Sequence, residues 1–200
     1  MCVLHGAAGG PSRRKGGVLY IHPFGEEMNK SRRMAALQAQ AFAAAHFDVL
    51  LMDLHGCGDS SGEFGEATWE TWQDDVAAGW QWLAARGDGP VWLWGLRIGA
   101  LLAATAAVRA GRATPLLLWQ PTPSGHRFIQ QFFRSRVMSD ALANGTERST
   151  TAGLLRAISD GAVVEVAGYP LSPELILPID QAEMPAPPRG SVVRWVEIAD

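Results

Sequence analysis

The chain has 200 residues, of which 48% are hydrophobic and 18% charged, a balance that suits one folded domain with a sizeable core and argues against extended disorder. A formal net charge of -3 excludes the basic footprint of a nucleic-acid-binding protein. No apolar run is long enough to span a bilayer, and the two cysteines, Cys2 and Cys57, are too few and too separated for a disulfide framework or a zinc cluster.

The opening Met1-Cys-Val-Leu-His-Gly lacks the basic and apolar regions of a secretory signal, so a cytoplasmic location is expected. Ser12-Arg-Arg-Lys-Gly-Gly17 is a basic lead-in to an apolar strand, Val18 to Ile21, which ends at His22-Pro-Phe-Gly-Glu-Glu. Met34, Leu37, Ala41 and Ala45 then recur at helical spacing, with Asn29 or Ser31 as the expected cap. Phe47 to Asp53 reads as the next buried strand, followed by a turn-rich stretch from Leu54 to Gly62. Trp69, Trp72, Val76, Trp80 and Leu83 draw one apolar stripe down a helix that Thr68 caps. Large aromatic residues at that spacing face a core more often than a ligand. Gly87-Asp-Gly-Pro90 stops this helix.

Val91 to Trp94 reads as a buried strand, Gly95-x-Arg97-x-Gly99 as a sharp turn, and Ala100 to Arg109 as a helix that Gly111 ends. Thr114 to Trp119 supplies one more short strand. Four buried strands separated by helices or helix-length connections predict an α/β fold, with a doubly wound, mostly parallel sheet. From Gln120 the pattern breaks. Residues from about 122 to 188 are expected to form a cap inserted over the sheet, before Ser191 to Ile198 returns to a strand-like pattern. All of 1–200 reads as a single domain.

Three segments, Tyr20 to Arg33, Asp53-Leu-His-Gly-Cys-Gly-Asp-Ser-Ser-Gly62 and Trp94-Gly-Leu-Arg-Ile-Gly-Ala100, resemble the α/β-hydrolase superfamily. More narrowly, the chain is similar to the exosortase A system-associated hydrolase, type 2, family, over roughly Val18 to Asp200. That resemblance implies a bacterial hydrolase or acyltransferase acting on a small-molecule ester or acyl substrate in exopolysaccharide and protein-sorting systems. It implies that Phe24 and Ile98 supply the oxyanion-hole amides, Pro23 having no N–H, and that Asp200 stands near the position of the triad acid. His22, Gly95 and Gly99 would then shape the pocket around the nucleophile elbow. The family's last strand and its catalytic-histidine loop would lie beyond Asp200, so the C-terminal part of the fold is expected to be missing.

Arg97 occupies the nucleophile position of that elbow. A guanidinium stays protonated and has no lone pair free for attack, so covalent catalysis of the usual kind does not start there. Arg97 reads either as a receptor for a carboxylate or phosphate, or as a brace paired with Asp53, Glu26 or Glu27. His22 fits a loop-orienting role better than that of a general base, His55 sits in a glycine-rich turn, and His126 is a weaker candidate. Cys57, Ser60 and Ser61 read as turn residues, and Glu26 and Glu27 as surface groups or partners for Arg32 and Arg33. No cofactor and no metal is implied. The alternative function is a catalytically inactive hydrolase scaffold that binds or regulates.

Overall fold

A computed structural model describes residues 1–142 and 150–197. In chain order the elements are β1 (Cys2–His5), β2 (Gly16–Ile21), α1 (Glu26–Ala44), β3 (Phe47–Met52), α2 (Trp69–Ala84), β4 (Val91–Leu96), α3 (Ile98–Arg109) and β5 (Leu116–Trp119). These are followed by α4 (Gly125–Leu142), α5 (Thr151–Ser159), β6 (Val164–Val166), β7 (Tyr169–Leu171), α6 (Pro173–Gln181) and β8 (Val193–Val196). Six strands form one sheet in the order β1-β3-β2-β4-β5-β8, while β6 and β7 form a separate hairpin. β1 runs antiparallel to β3, and all other pairings in the large sheet are parallel.

The pleat sorts the strand side chains into two cores. Leu19, Leu50, Leu93, Leu116 and Leu118 pack with apolar residues of α2, α3 and the segment between β5 and β8. Val18, Tyr20, Val49, Trp94 and Leu96 turn the other way, toward Ala35 and Ala39 of α1. Covered on both faces, these strands read as continuous apolar runs. The tryptophan stripe does what its spacing predicts: Trp69, Trp72, Val76 and Leu83 are buried, and the Thr68 hydroxyl accepts the Thr71 N–H.

Three local expectations need correction. The first helix begins at Glu26 with Gly25 as its cap, which puts Asn29 and Ser31 inside it and sets Glu26 and Glu27 at its positive end. Ser31 instead donates to the Met28 carbonyl. β1 was not expected at all; four mostly exposed edge residues carry no alternation contrast for a periodicity to reveal. The last strand covers only Val193–Val196, and Ile198 and Asp200 lie outside the described residues.

The segment between β5 and β8 carries α4, α5, the β6–β7 hairpin and α6. Its base is closed by Gly125 N–H on the Ala182 carbonyl and Met184 N–H on the Pro123 carbonyl. The polar stretch beginning at Asn144 lies largely outside the described residues. Among the described residues no helix is long and apolar enough to cross a membrane. At the N-terminal edge of the sheet, Asp48 receives Arg14 Nε at 3.1 Å and Arg86 Nε at 3.0 Å. The other Arg14 nitrogens donate to the carbonyls of Leu83, Gly87 and Asp88.

Candidate functional site at the Arg97 turn

β4 ends at Leu96 and α3 starts at Ile98, so Arg97 is the whole junction, at φ 56° and ψ -120°. Such a conformation costs a side-chain-bearing residue on the order of 1–3 kcal/mol and persists only where its surroundings over-determine it. They do so here. The Arg97 N–H donates to the Trp119 carbonyl at 3.0 Å, and its own carbonyl accepts from Ala100 at 3.1 Å and Thr122 at 3.3 Å. A Cβ at Gly95 would lie 2.4 Å from the Ala100 Cα, and one at Gly99 would lie 2.4 Å from the Ile21 carbonyl oxygen. Backbone meets backbone at both positions, so only glycine fits.

The Arg97 side chain lies on a cavity of about 290 Å³ at the C-terminal edge of the sheet. Its charged lining is Arg97, Lys30, Glu26 and Glu27, and its apolar lining is the rings of Phe24, Phe128 and Phe132. Phe24 is the hub of the aromatic wall, with ring centroids 5.4 Å from Phe128 and 5.1 Å from Phe132. Of the three carboxylates considered for Arg97, Glu27 is the one it meets, with Nε 3.5 Å from Oε1. Both side chains keep access to solvent, at 31% for Arg97 and 43% for Glu27. Asp53 takes Arg32 Nη2 at 3.2 Å and the Asp59 N–H at 3.0 Å, and Glu26 accepts from the Tyr169 hydroxyl at 3.4 Å. Arg32 therefore pairs with neither Glu26 nor Glu27, because it lies toward the loop after β3. Among the described residues, none on this lining carries a hydroxyl, thiol or imidazole.

Phe24 and Ile98 come together as neighbours on one small void of about 10 Å³, which also touches His22, Leu54 and Gly99. Ile98 opens α3, where backbone N–H groups have no partner within the helix. His22 is buried under this point and does not line the Arg97 cavity. Its Nε2 accepts the Leu54 N–H at 3.2 Å, so the proton sits on Nδ1, 2.8 Å from the Pro23 carbonyl. Burial pushes its pKa down and keeps the ring neutral. His22 thus ties the β2 loop to the β3 loop.

The remaining histidine and cysteine candidates stand apart from this cavity. His55 is held through its backbone, its N–H on Asp75 at 2.7 Å and its carbonyl under the Trp72 indole N–H at 3.0 Å. Burial, then the charges of Asp53 and Asp75, push the Cys57 thiol up to about 12, which leaves it protonated and unreactive. Ser60 donates to the Asp53 carbonyl as a turn residue. His126 ties α4 to α6 through Asp180 at 2.9 Å. Sequence reasoning missed Lys30, Phe128 and Phe132; the one signal was the spacing of the two phenylalanines, which share a helix face at i and i+4. Among the described residues no cluster of His, Cys, Asp or Glu suits a metal.

Residues 12–146 match the family described as Hydrolase_4: Serine aminopeptidase, S33. No curated protein matches the chain. Among solved structures it is similar to XC6422 from Xanthomonas campestris, described as an α/β serine hydrolase without lid, with 23% identity and a TM-score of 0.50 over 62% of this chain and 56% of that one. A thermostable carboxyl esterase from Bacillus coagulans shares 17% identity at a TM-score of 0.54, over 80% of this chain and 51% of that one. Est1E from Butyrivibrio proteoclasticus, solved with ferulic acid bound, shares 16% identity at a TM-score of 0.64, over 99% of this chain and 84% of that one. The chain therefore spans only about half the length of the first two. Likeness at these identities concerns the fold, which is that of the α/β-hydrolases; with the match over 12–146, the chain belongs to the Hydrolase_4 (serine aminopeptidase, S33) family.

Proposed function

We propose that the protein is a non-covalent binder within this hydrolase family, in which Arg97 stands at the nucleophile elbow and holds the anionic group of a small molecule. The molecule's apolar body, acyl or aromatic, lies against Phe24, Phe128 and Phe132. The observation that carries this reading is a guanidinium at a strained strand-to-helix junction, beside a cavity whose lining, among the described residues, offers no hydroxyl, thiol or imidazole. A guanidinium cannot attack a carbonyl, but its planar fork suits a carboxylate or phosphate, and the first turn of α3 adds its own attraction for anions. Residues of about 122 to 188 act as the cap over this site. On the sequence's resemblance to exosortase A-associated type 2 hydrolases, the role we propose lies in bacterial exopolysaccharide or protein-sorting systems, in the cytoplasm.

A second reading, a hydrolase or acyltransferase on an ester or acyl substrate, is favoured by the family match and by the meeting of Phe24 and Ile98, the two oxyanion-hole candidates, at one void. Asp200 is its candidate acid. A fluorophosphonate probe separates the two. The binder reading expects no labelling, and expects Arg97→Ala to abolish and Arg97→Lys to weaken the binding of a planar anion measured by calorimetry. Stoichiometric labelling that a denatured control lacks would move the assignment to the second reading.

A further inference from the structure

Among the described residues four carry a side chain at positive φ, His46, Arg97, Gln120 and Ala167, and two of these, Arg97 and Ala167, border the same cavity. Ala167 and Gly168 are the two loop residues of the β6–β7 hairpin, since Val166 pairs with Tyr169. Both have positive φ, 51° and 82°. A two-residue turn of that kind matches the twist of its strands and favours asparagine followed by glycine, because asparagine enters the left-handed region more readily than most residues with a side chain. Gly168 meets the preference and Ala167 does not. Turn chemistry alone therefore does not account for the alanine.

The place of the hairpin does. Val166 and Leu171 are fully buried, the ring centroids of Tyr169 and Phe64 are 4.9 Å apart, and the Tyr169 hydroxyl donates to Glu26 at 3.4 Å. A Cβ at Gly25, in the loop between β2 and α1, would touch the same tyrosine ring at 3.4 Å. The hairpin is thus fixed over the start of α1, with Ala167 exposed at the rim of the cavity that Phe24, Phe128 and Phe132 wall. A side chain at that rim is limited in size by what the cavity must admit. Left-handed strain kept at the edge of a ligand cavity, where glycine would relieve it, points to a side chain set by the cavity rather than by the turn. We infer that Ala167 is a specificity-determining residue of the Arg97 site, its single methyl group setting how large an apolar body the bound anion carries. The inference rests on Arg97 as the anion-binding group proposed above.

Calorimetric titration of the wild type, Ala167→Asn and Ala167→Gly with 3-phenylpropionate and its bulkier naphthyl analogue tests it, beside thermal melts of all three proteins. Asparagine suits the turn, so Ala167→Asn should melt no lower than the wild type. It should nonetheless lose at least about tenfold in affinity for the naphthyl acid, the scale on which a pocket rejects a body one methylene too large, and less for the phenyl acid. Ala167→Gly should move the ratio of the two affinities severalfold the other way, toward the naphthyl acid. A residue that only shaped the hairpin would move the melts and leave that ratio alone. The same ratio in all three proteins, with binding of both acids still lost in Arg97→Ala, would overturn the inference while leaving the anion site standing. Binding that Arg97→Ala leaves unchanged, or no binding of either acid, would overturn the anion site and the role of Ala167 together.

Discussion

At the N-terminal edge of the sheet, Asp48 receives two guanidinium Nε atoms at 3.0 and 3.1 Å and a backbone N–H from Ala7 at 2.9 Å; at the C-terminal edge, Glu27 meets Arg97 through a single contact at 3.5 Å, and both side chains stay partly exposed. Arg14 and Asp48 are shut away, at 4% and 7% exposure, and the Nε, Nη1 and Nη2 of Arg14 all find an acceptor. The same two residue types therefore make a closed staple at one end and an open site at the other. A staple has every donor and acceptor matched within the chain, because a buried charge left unmatched is costly. A binding site keeps some of them for its ligand.

The largest expected effect lies at the closed end. Asp48→Ala strands a buried arginine and should cost about 3–5 kcal/mol in urea unfolding. The pH dependence should report the same staple. Burial pushes the Asp48 carboxyl up, but the Ala7 N–H and the guanidinium groups of Arg86 and Arg14 outweigh it and hold the carboxyl below the ordinary carboxylate range. A depressed folded-state value contributes stability above the unfolded value of about 4, and that stability is lost as pH falls through the folded value. Asp48→Asn should therefore flatten the acid limb of a stability profile. A profile unchanged by the substitution would break the contrast between the two edges.

Gly99→Val comes next. Its side chain would have to enter within 2.4 Å of the Ile21 carbonyl and 2.5 Å of the His22 carbonyl, neither of which can rotate away. A loss of about 1–3 kcal/mol in thermal or urea unfolding is expected. The opposite sign is expected at the neighbouring apex. Arg97→Gly relieves the positive φ and should raise stability by about 0.5–1 kcal/mol, whereas a bracing arginine would lose stability on the same change.

The doubly wound sheet was legible because strands covered on both faces are unbroken apolar runs, as at Val91 to Trp94, and because the tryptophan spacing of α2 has the period of a buried helix face. The Arg97 junction was legible too, since Gly95 and Gly99 mark where backbone must touch backbone. What sequence did not carry was partnership across the fold. Nothing local to Arg97 selects Glu27 over Asp53 or Glu26, for the choice is made by where α1 starts, and that start follows from the loop tied down by His22 rather than from a capping residue. The phenylalanine wall was equally hidden, because Phe24 and Phe128 meet only once α4 is folded over the sheet edge.

The smallest effect concerns the thiols. Cys57 is buried and pushed up to about 12, while Cys2 is exposed. Titration with a thiol reagent near pH 8 should count a single reactive cysteine in the folded chain and both in denaturant. Two fast thiols in the folded chain would show the loop after β3 to be open.

The central claim is that the Arg97 turn is an open site rather than a second staple. Calorimetric titration of the wild type and Arg97→Ala with 3-phenylpropionate, a carboxylate with an apolar body, beside thermal melts of the same two proteins, tests it most directly. The account predicts that Arg97→Ala loses the affinity and keeps its stability to within about 0.5 kcal/mol, as expected for a weak, half-exposed ion pair. A variant that binds as the wild type does but melts well below it would contradict the claim and make Arg97 a brace.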